Sequence, residues 1–169
     1  NAAEFSLSLW LQRAVDHAGI ANDTNHIVNN VLIAQTSNID NDNLEIGTEG
    51  EVVEVYLDTV ELGGATTTVS QPAAIQNDAW HHLVVSYERD AANELKIYVD
   101  GALVSEHSEY GGLSHESGMP PLANGLSRPG GTAVGDSEGL IYEVPVWGAA
   151  LAAQPVTAAR KRVVSGQGG

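Results

Sequence analysis

The chain has 169 residues, 43% of them hydrophobic and 17% charged, which fits one domain with a sizeable core and excludes the composition of a disordered chain. Seven basic against twenty-two acidic side chains give a net charge of −15, a field that repels nucleic acid and favours divalent cations or a saline exterior. No cysteine is present, so disulfides, thiolate chemistry and thiolate zinc sites are excluded.

In chain order, FSLSLWL from Phe5 to Leu11 alternates, with Phe5, Leu7, Leu9 and Leu11 on one face and Ser6, Ser8 and Trp10 on the other, which predicts a strand. Residues 14–30 form a long polar loop. That loop carries the metal-capable groups Asp16, His17, Asp23 and His26, although loop histidines are ordinarily solvated. It also holds the sequon Asn22-Asp23-Thr24, which makes Asn22 an N-glycosylation acceptor if the source is eukaryotic.

VLIAQ from Val31 reads as a short strand, and SNIDNDN from Ser37 to Asn43 as a concentrated turn signal. Strands are predicted from Leu44 to Gly47, from Val52 to Asp58 and, as an exposed strand, within GGATTTVSQPAAI. HHLVVSYE from His81 precedes the clearest hairpin, in which LKIYV from Leu95 and ALVSE from Ala102 flank Asp100-Gly101, a pair suited to the positive φ angles of a two-residue turn. Residues 108–131 are read as loop, and LIYEVPVW from Leu140 as the last strong strand, its Pro145 at an edge or bulge. Only residues 149–164 have any helical character, interrupted by Pro155.

Many short strands between turn clusters predict an all-β fold, a two-sheet antiparallel β-sandwich of jelly-roll type. One domain spans residues 1–164, and SGQGG at 165–169 reads as a flexible tail or linker. No apolar run is long enough for a transmembrane helix, so membrane insertion is not expected. A start at Asn1 rather than methionine is what a processed product or a piece of a longer chain would have.

Three segments together resemble the laminin G-like and pentraxin-like domains of the concanavalin A-like lectin/glucanase superfamily: FSLSLWLQ from Phe5, NDAWHHLVVSYERDAANELKIYVDGALVSE from Asn77, and GLIYEVPVWGAAL from Gly139. The resemblance implies that the first and last of these pair in one sheet. Pentraxins join their first strand to the Trp-His strand by a disulfide, and the matching positions here are Ser8 and Val84. Members of this family are usually extracellular or cell-surface modules that bind glycans or proteins without chemistry. The resemblance further implies calcium, with Asp42 and Asn43 before LEIG, Asp40 in the same turn, and Asp136 and Glu138 in GDSEG before the last strand as ligands. The same residue types also serve ordinary turns, and both readings stay open at this point.

Hydrolases of the superfamily carry alternate carboxylates on one strand, Glu, Asp and Glu. EIGTE from Glu45 to Glu49 is similar but has Gly47 in the middle position, and its glycines suggest a turn. His81 and His82 belong to the strand motif. Trp80 and Trp147, at strand ends, are expected to close the core, with ligand contact as the alternative; Tyr56, Tyr110 and Tyr142 are candidates for sugar stacking. The expected function is a non-catalytic adhesion or recognition module that binds a glycan or extracellular protein through loops 37–43, 108–131 and 135–138. A structural building block that self-associates or abuts neighbouring domains is the alternative, and a hydrolase comes last.

Overall fold

The computed structural model describes residues 4–14, 31–38, 41–57, 66–72, 75–89, 94–108, 123–124 and 139–150. Its strands are β1 (Glu4–Arg13), β2 (Val31–Asn38), β3 (Asn41–Glu49), β4 (Val52–Leu57), β5 (Thr66–Pro72) and β6 (Trp80–Glu88). They continue with β7 (Leu95–Val99), β8 (Ala102–His107), β9 (Ala123–Asn124), β10 (Gly139–Tyr142) and β11 (Val146–Trp147). One sheet has the order β10-β1-β6-β7-β8, with β11 also paired to β1; the other has the order β5-β4-β3-β2-β9. All pairs are antiparallel. No helix occurs among the described residues, and none is long and apolar enough to cross a membrane.

The expected sandwich is what the chain forms. Leu7, Leu9 and Leu11 of β1 meet Leu83, Val85 and Tyr87 of β6, Leu95, Ile97 and Val99 of β7, and Ile46, Val53, Val55 and Leu57 of the facing sheet in one buried core. Burying each such side chain contributes about 1.5–3 kcal/mol relative to leaving it in water. Phe5, at the end of the stripe, stacks on Tyr87 with ring centroids 5.7 Å apart. The hairpin read at Asp100-Gly101 is present, with φ of 53° and 84° at the two turn residues. The first and last motif segments pair as expected, Trp10 opposite Tyr142 and Leu7 opposite Val146.

Three local expectations are corrected. The turn expected over 37–43 is shorter, because β2 runs to Asn38 and β3 starts at Asn41. Register shifts at Gln35/Thr36 and Thr36/Asn38 let the ladder absorb the Asn/Asp-rich stretch as bulges. The last strand is two, since Glu143 has φ of 47°, in the left-handed region, and breaks the ladder between β10 and β11. The loop expected over 108–131 contains the short β9, which pairs with Ile33 and Ala34 of β2. Asn22, the His17 and His26 cluster, Tyr110, the tail at 165–169 and the helical possibility at 151–164 lie outside the described residues.

Candidate functional site

β1 ends at one rim of the sandwich on Arg13, a buried arginine that ties both sheets together. Its Nε donates to Asn77 Oδ1 at 2.8 Å, one terminal nitrogen to Thr48 Oγ1 at 3.2 Å and to the Gly50 carbonyl at 2.5 Å, and the other to the Ile75 carbonyl at 3.1 Å. The Arg13 carbonyl accepts from Asp78 N–H at 2.7 Å, and Gln12 Nε2 donates to the Asp78 carbonyl at 2.9 Å. Asp78 sits at φ of 62°, a conformation that aspartate tolerates and that these two backbone bonds hold. The guanidinium fork thus fixes the β3–β4 turn and the segment 75–78 against β1.

The same rim carries a second hub at the β7–β8 turn. Gln76 N–H donates to His81 Nε2 at 3.1 Å, so His81 holds its proton on Nδ1, which faces Asp100 Oδ2 at 2.9 Å. Asp100 Oδ1 accepts from His82 N–H at 3.1 Å, and Asp100 N–H donates to the His82 carbonyl at 2.8 Å. Both nitrogens of His81 are committed to holding the rim, in keeping with a place in the strand motif rather than in chemistry.

The β2–β3 turn falls at the opposite rim, since Val31 pairs with Gly47 near the Arg13 end and Asn38 pairs with Asn41 at the far end. Of the expected calcium ligands, Asp42 and Asn43 lie on β3 beside that turn; Asp40, Asp136 and Glu138 are outside the described residues. Gly139, which begins β10, pairs with Arg13 and therefore stands at the rim away from Asp42. Among the described residues no group of three or more His, Asp or Glu side chains is placed to hold a metal.

Glu45 to Glu49 do not form the expected turn. All five residues lie in β3, because Gly47 is flanked on both sides by ladder partners, Val31 and Glu54, and that pairing overrides the weak strand preference of glycine. Glu45 is 0% exposed, Gly47 leaves the position between Glu45 and Glu49 without a carboxylate, and Glu54, directly across from Gly47 on β4, is also buried. Trp80 departs from expectation as well: it opens β6 with 44% of its surface exposed and does not close the core. Arg13 and the exposed Leu140 of β10 are what sequence reading missed; of the stacking candidates, Tyr142 is exposed and Tyr56 is buried. A single arginine at a strand end has no periodic signal, and alternation cannot say which face of an edge strand stays open.

A laminin G family profile described as the concanavalin A-like lectin/glucanases superfamily matches residues 1–157. The chain belongs to this superfamily. Similar solved structures include the CBM40 domain of the Ruminococcus gnavus IT-sialidase, with TM-score 0.65, 15% identity, and coverage of 94% of this chain and 83% of that one. The heptameric pentraxin of Limulus polyphemus gives TM-score 0.62 at 12% identity over 92% of this chain and 69% of that one. The receptor-binding domain of botulinum neurotoxin type G gives TM-score 0.63 at 15% identity over 95% of this chain, but the chain spans only 38% of the toxin domain's length. Among curated protein sequences none matches. At these identities the structures establish the fold alone, and within it Ser8 and Val84 are direct cross-strand partners.

Proposed function

We propose that this superfamily member is a non-catalytic recognition module of an extracellular or cell-surface protein, binding a glycan or a protein ligand. The observation that carries the reading is the state of the only glucanase-like stretch noted in the sequence. Glu45 is wholly buried, Glu49 is separated from it by Gly47, and the neighbouring carboxylate, Glu54, is buried too. A glycoside hydrolase needs two carboxyl groups open to the scissile bond, one of them protonated. The burial of Glu45 and Glu54 supports the non-catalytic reading. The named properties of structural neighbours, a sialidase CBM40 domain and toxin receptor-binding domains, point the same way.

Loops at the rims are where such a sandwich would vary its specificity. Calcium at the β2–β3 turn, through Asp42 and Asn43 together with Asp40, would be a further element of this reading. A glycan array probed with and without calcium, together with a reducing-end assay on β-glucan, tests the proposal. Saturable glycan or protein binding without release of reducing ends is expected. Reducing ends that disappear in Glu45→Gln would overturn it. Calorimetric calcium titration of the wild type and of Asp42→Ala reads the metal element: saturable binding that is lost in the variant is expected, and no binding in the wild type would retire it.

A further inference from the structure

The outer face of the six-stranded sheet ends, near the Asp100 turn, in two rows of cross-strand partners. One row runs Tyr142, Trp10, His82 and the next Leu140, Gln12, Trp80. Directly paired antiparallel residues share a face, and the intervening Leu11 points the other way into the core. Leu140 is 59% exposed, Tyr142 47% and Trp80 44%, with Gln12 half-buried between them. Large apolar side chains scattered singly need no explanation, but three together on one face do.

Three properties of this face narrow its ligand. First, none of the six side chains is a carboxylate or an ammonium, in a chain of net charge −15, so the face is matched to an uncharged partner that needs no bridging cation. Second, the exposed groups are two aromatic rings and Leu140, with the half-buried amide of Gln12 among them. Gln12 Nε2 is held by the Asp78 carbonyl, which turns its Oε1 into the acceptor available to a ligand hydroxyl. Third, Trp10, the cross-strand partner of both Tyr142 and His82, is 8% exposed, tilts over His82 at 5.0 Å, and has a buried indole N–H with no hydrogen-bond partner among the described residues. An orphaned donor of this kind calls for a reason, and a ligand oxygen would supply its acceptor if binding turned the ring so that the indole N–H met the surface.

Sugars combine flat C–H faces that stack on aromatic rings with hydroxyls that need polar partners. Trp80 and Tyr142 stand two strands and one row apart, so from a strand spacing of about 4.8 Å and a rise of about 3.4 Å per residue their Cα atoms are roughly 12 Å apart. One monosaccharide cannot reach both. A partner strand added at the sheet edge fits poorly, because β10 has only four residues, breaks at Glu143 and is followed by Pro145, which has no amide donor.

We infer that the Trp80–Tyr142 face is a calcium-independent binding platform for an uncharged oligosaccharide, an inference that rests on the reading of the chain as a recognition module. The test titrates the intact chain, in EGTA, with soluble hexasaccharides of β-glucan, xylan, mannan and chitin type, followed by tryptophan fluorescence and calorimetry. At least one should bind and perturb the fluorescence. Trp80→Ala and Tyr142→Ala should each weaken it by about tenfold or more, as loss of a central aromatic anchor does, while Tyr142→Phe retains it. Because both side chains are exposed, matched circular dichroism spectra will show that the variants fold. Binding that is unchanged in both alanine variants overturns the platform and leaves the recognition module standing. So does a chain that takes only charged glycans or proteins on an array. Wild-type self-association lost in both alanine variants would assign the face to a second copy instead. A chain that binds neither hexasaccharides nor anything on the array defeats both readings.

Discussion

Ser8 and Val84 face each other directly across β1 and β6. Ser8 N–H points away from β6, donating to the Pro145 carbonyl at 3.1 Å, so the two residues form the close, non-hydrogen-bonded kind of antiparallel pair. Their Cα atoms are then about 4.5 Å apart, within the range a disulfide spans. Ser8→Cys combined with Val84→Cys should therefore oxidise readily and stabilise the fold by about 2–4 kcal/mol, less whatever is lost where Val84 packs on Tyr98. Thiol titration and melting with and without reductant check this. Thiols that remain free under oxidant would show that the pair is not in this register.

Gly139 is required by space as well as conformation. At φ of 156° a Cβ there would lie 2.1 Å from the Gln12 carbonyl oxygen and 3.0 Å from Arg13 Cα, both backbone atoms that cannot swing aside. Gly139→Ala should push β10 off the end of β1 and cost about 2–3 kcal/mol, as strain at a special backbone position does. Gly148, with nothing within 4 Å of its Cβ position, is the control: Gly148→Ala should change stability by less than about 0.5 kcal/mol. Denaturant unfolding of the two variants side by side separates these outcomes.

At Asp100 two contributions can be pulled apart. The residue supplies a left-handed backbone at φ of 53° and a carboxylate shared between His81 Nδ1 and His82 N–H. Asp100→Gly keeps the backbone freedom and loses the carboxylate; Asp100→Asn tolerates the backbone and keeps one acceptor; Asp100→Ala loses both. The expected order of stability is wild type, Asn, Gly, Ala, with the alanine variant lower by about 2–3 kcal/mol. Equal losses in the glycine and alanine variants would mean that the turn conformation contributes nothing.

The contrast between Asp100 and Arg13 explains how much of this protein was legible in its sequence. The hairpin turn depends on two adjacent residues and their φ preferences, so a dipeptide announces it. Strands such as β1 and β4 announce themselves by alternation because their core faces must be apolar. Arg13 gains its meaning only from Thr48, Gly50, Ile75 and Asn77, which lie far along the chain. No local pattern brings those partners together. Trp80 was misjudged for a related reason: its place in the Trp-His motif fixes the strand but not whether a neighbouring segment covers the ring. The calcium positions come from the family resemblance and from turn-forming residue types, and neither carries the strand register that sets Asp42 and Gly139 at opposite rims.

Tyr98 makes stability depend on alkaline pH. Burial, and after it the negative charge of Glu106, raises its phenol above the ordinary 10.0. The folded chain then keeps a proton that the unfolded chain has begun to release, so more protons are bound in the folded state and stability falls as pH rises. The contribution is complete below pH 10.0, and it is lost as pH climbs through the raised folded-state value. Urea midpoints measured from about pH 8 to about pH 11 should decline in the wild type. The decline should flatten in Tyr98→Phe and lessen in Glu106→Gln. A slope identical in Tyr98→Phe would assign it to other groups.

Removing Arg13 should do more harm than its single charge suggests. Its fork satisfies the Ile75 carbonyl and the Thr48 hydroxyl inside the protein, where water cannot readily replace it, and the Gly50 carbonyl and Asn77 amide nearer the surface. Arg13→Met fills much of the same volume but leaves those acceptors without their donor, a loss on the order of 3 kcal/mol or more. Arg13→Lys keeps the charge yet lacks the planar fork, so it should recover only part of that. The damage should be local before it is global. Hydrogen exchange at the β3–β4 turn and at Asp78, whose amide is bonded to the Arg13 carbonyl, should accelerate in Arg13→Met while the β6–β7 ladder stays protected. Uniform acceleration across both sheets would instead mark Arg13 as part of the cooperative core, with the two sheets unable to hold together once their shared rim is released.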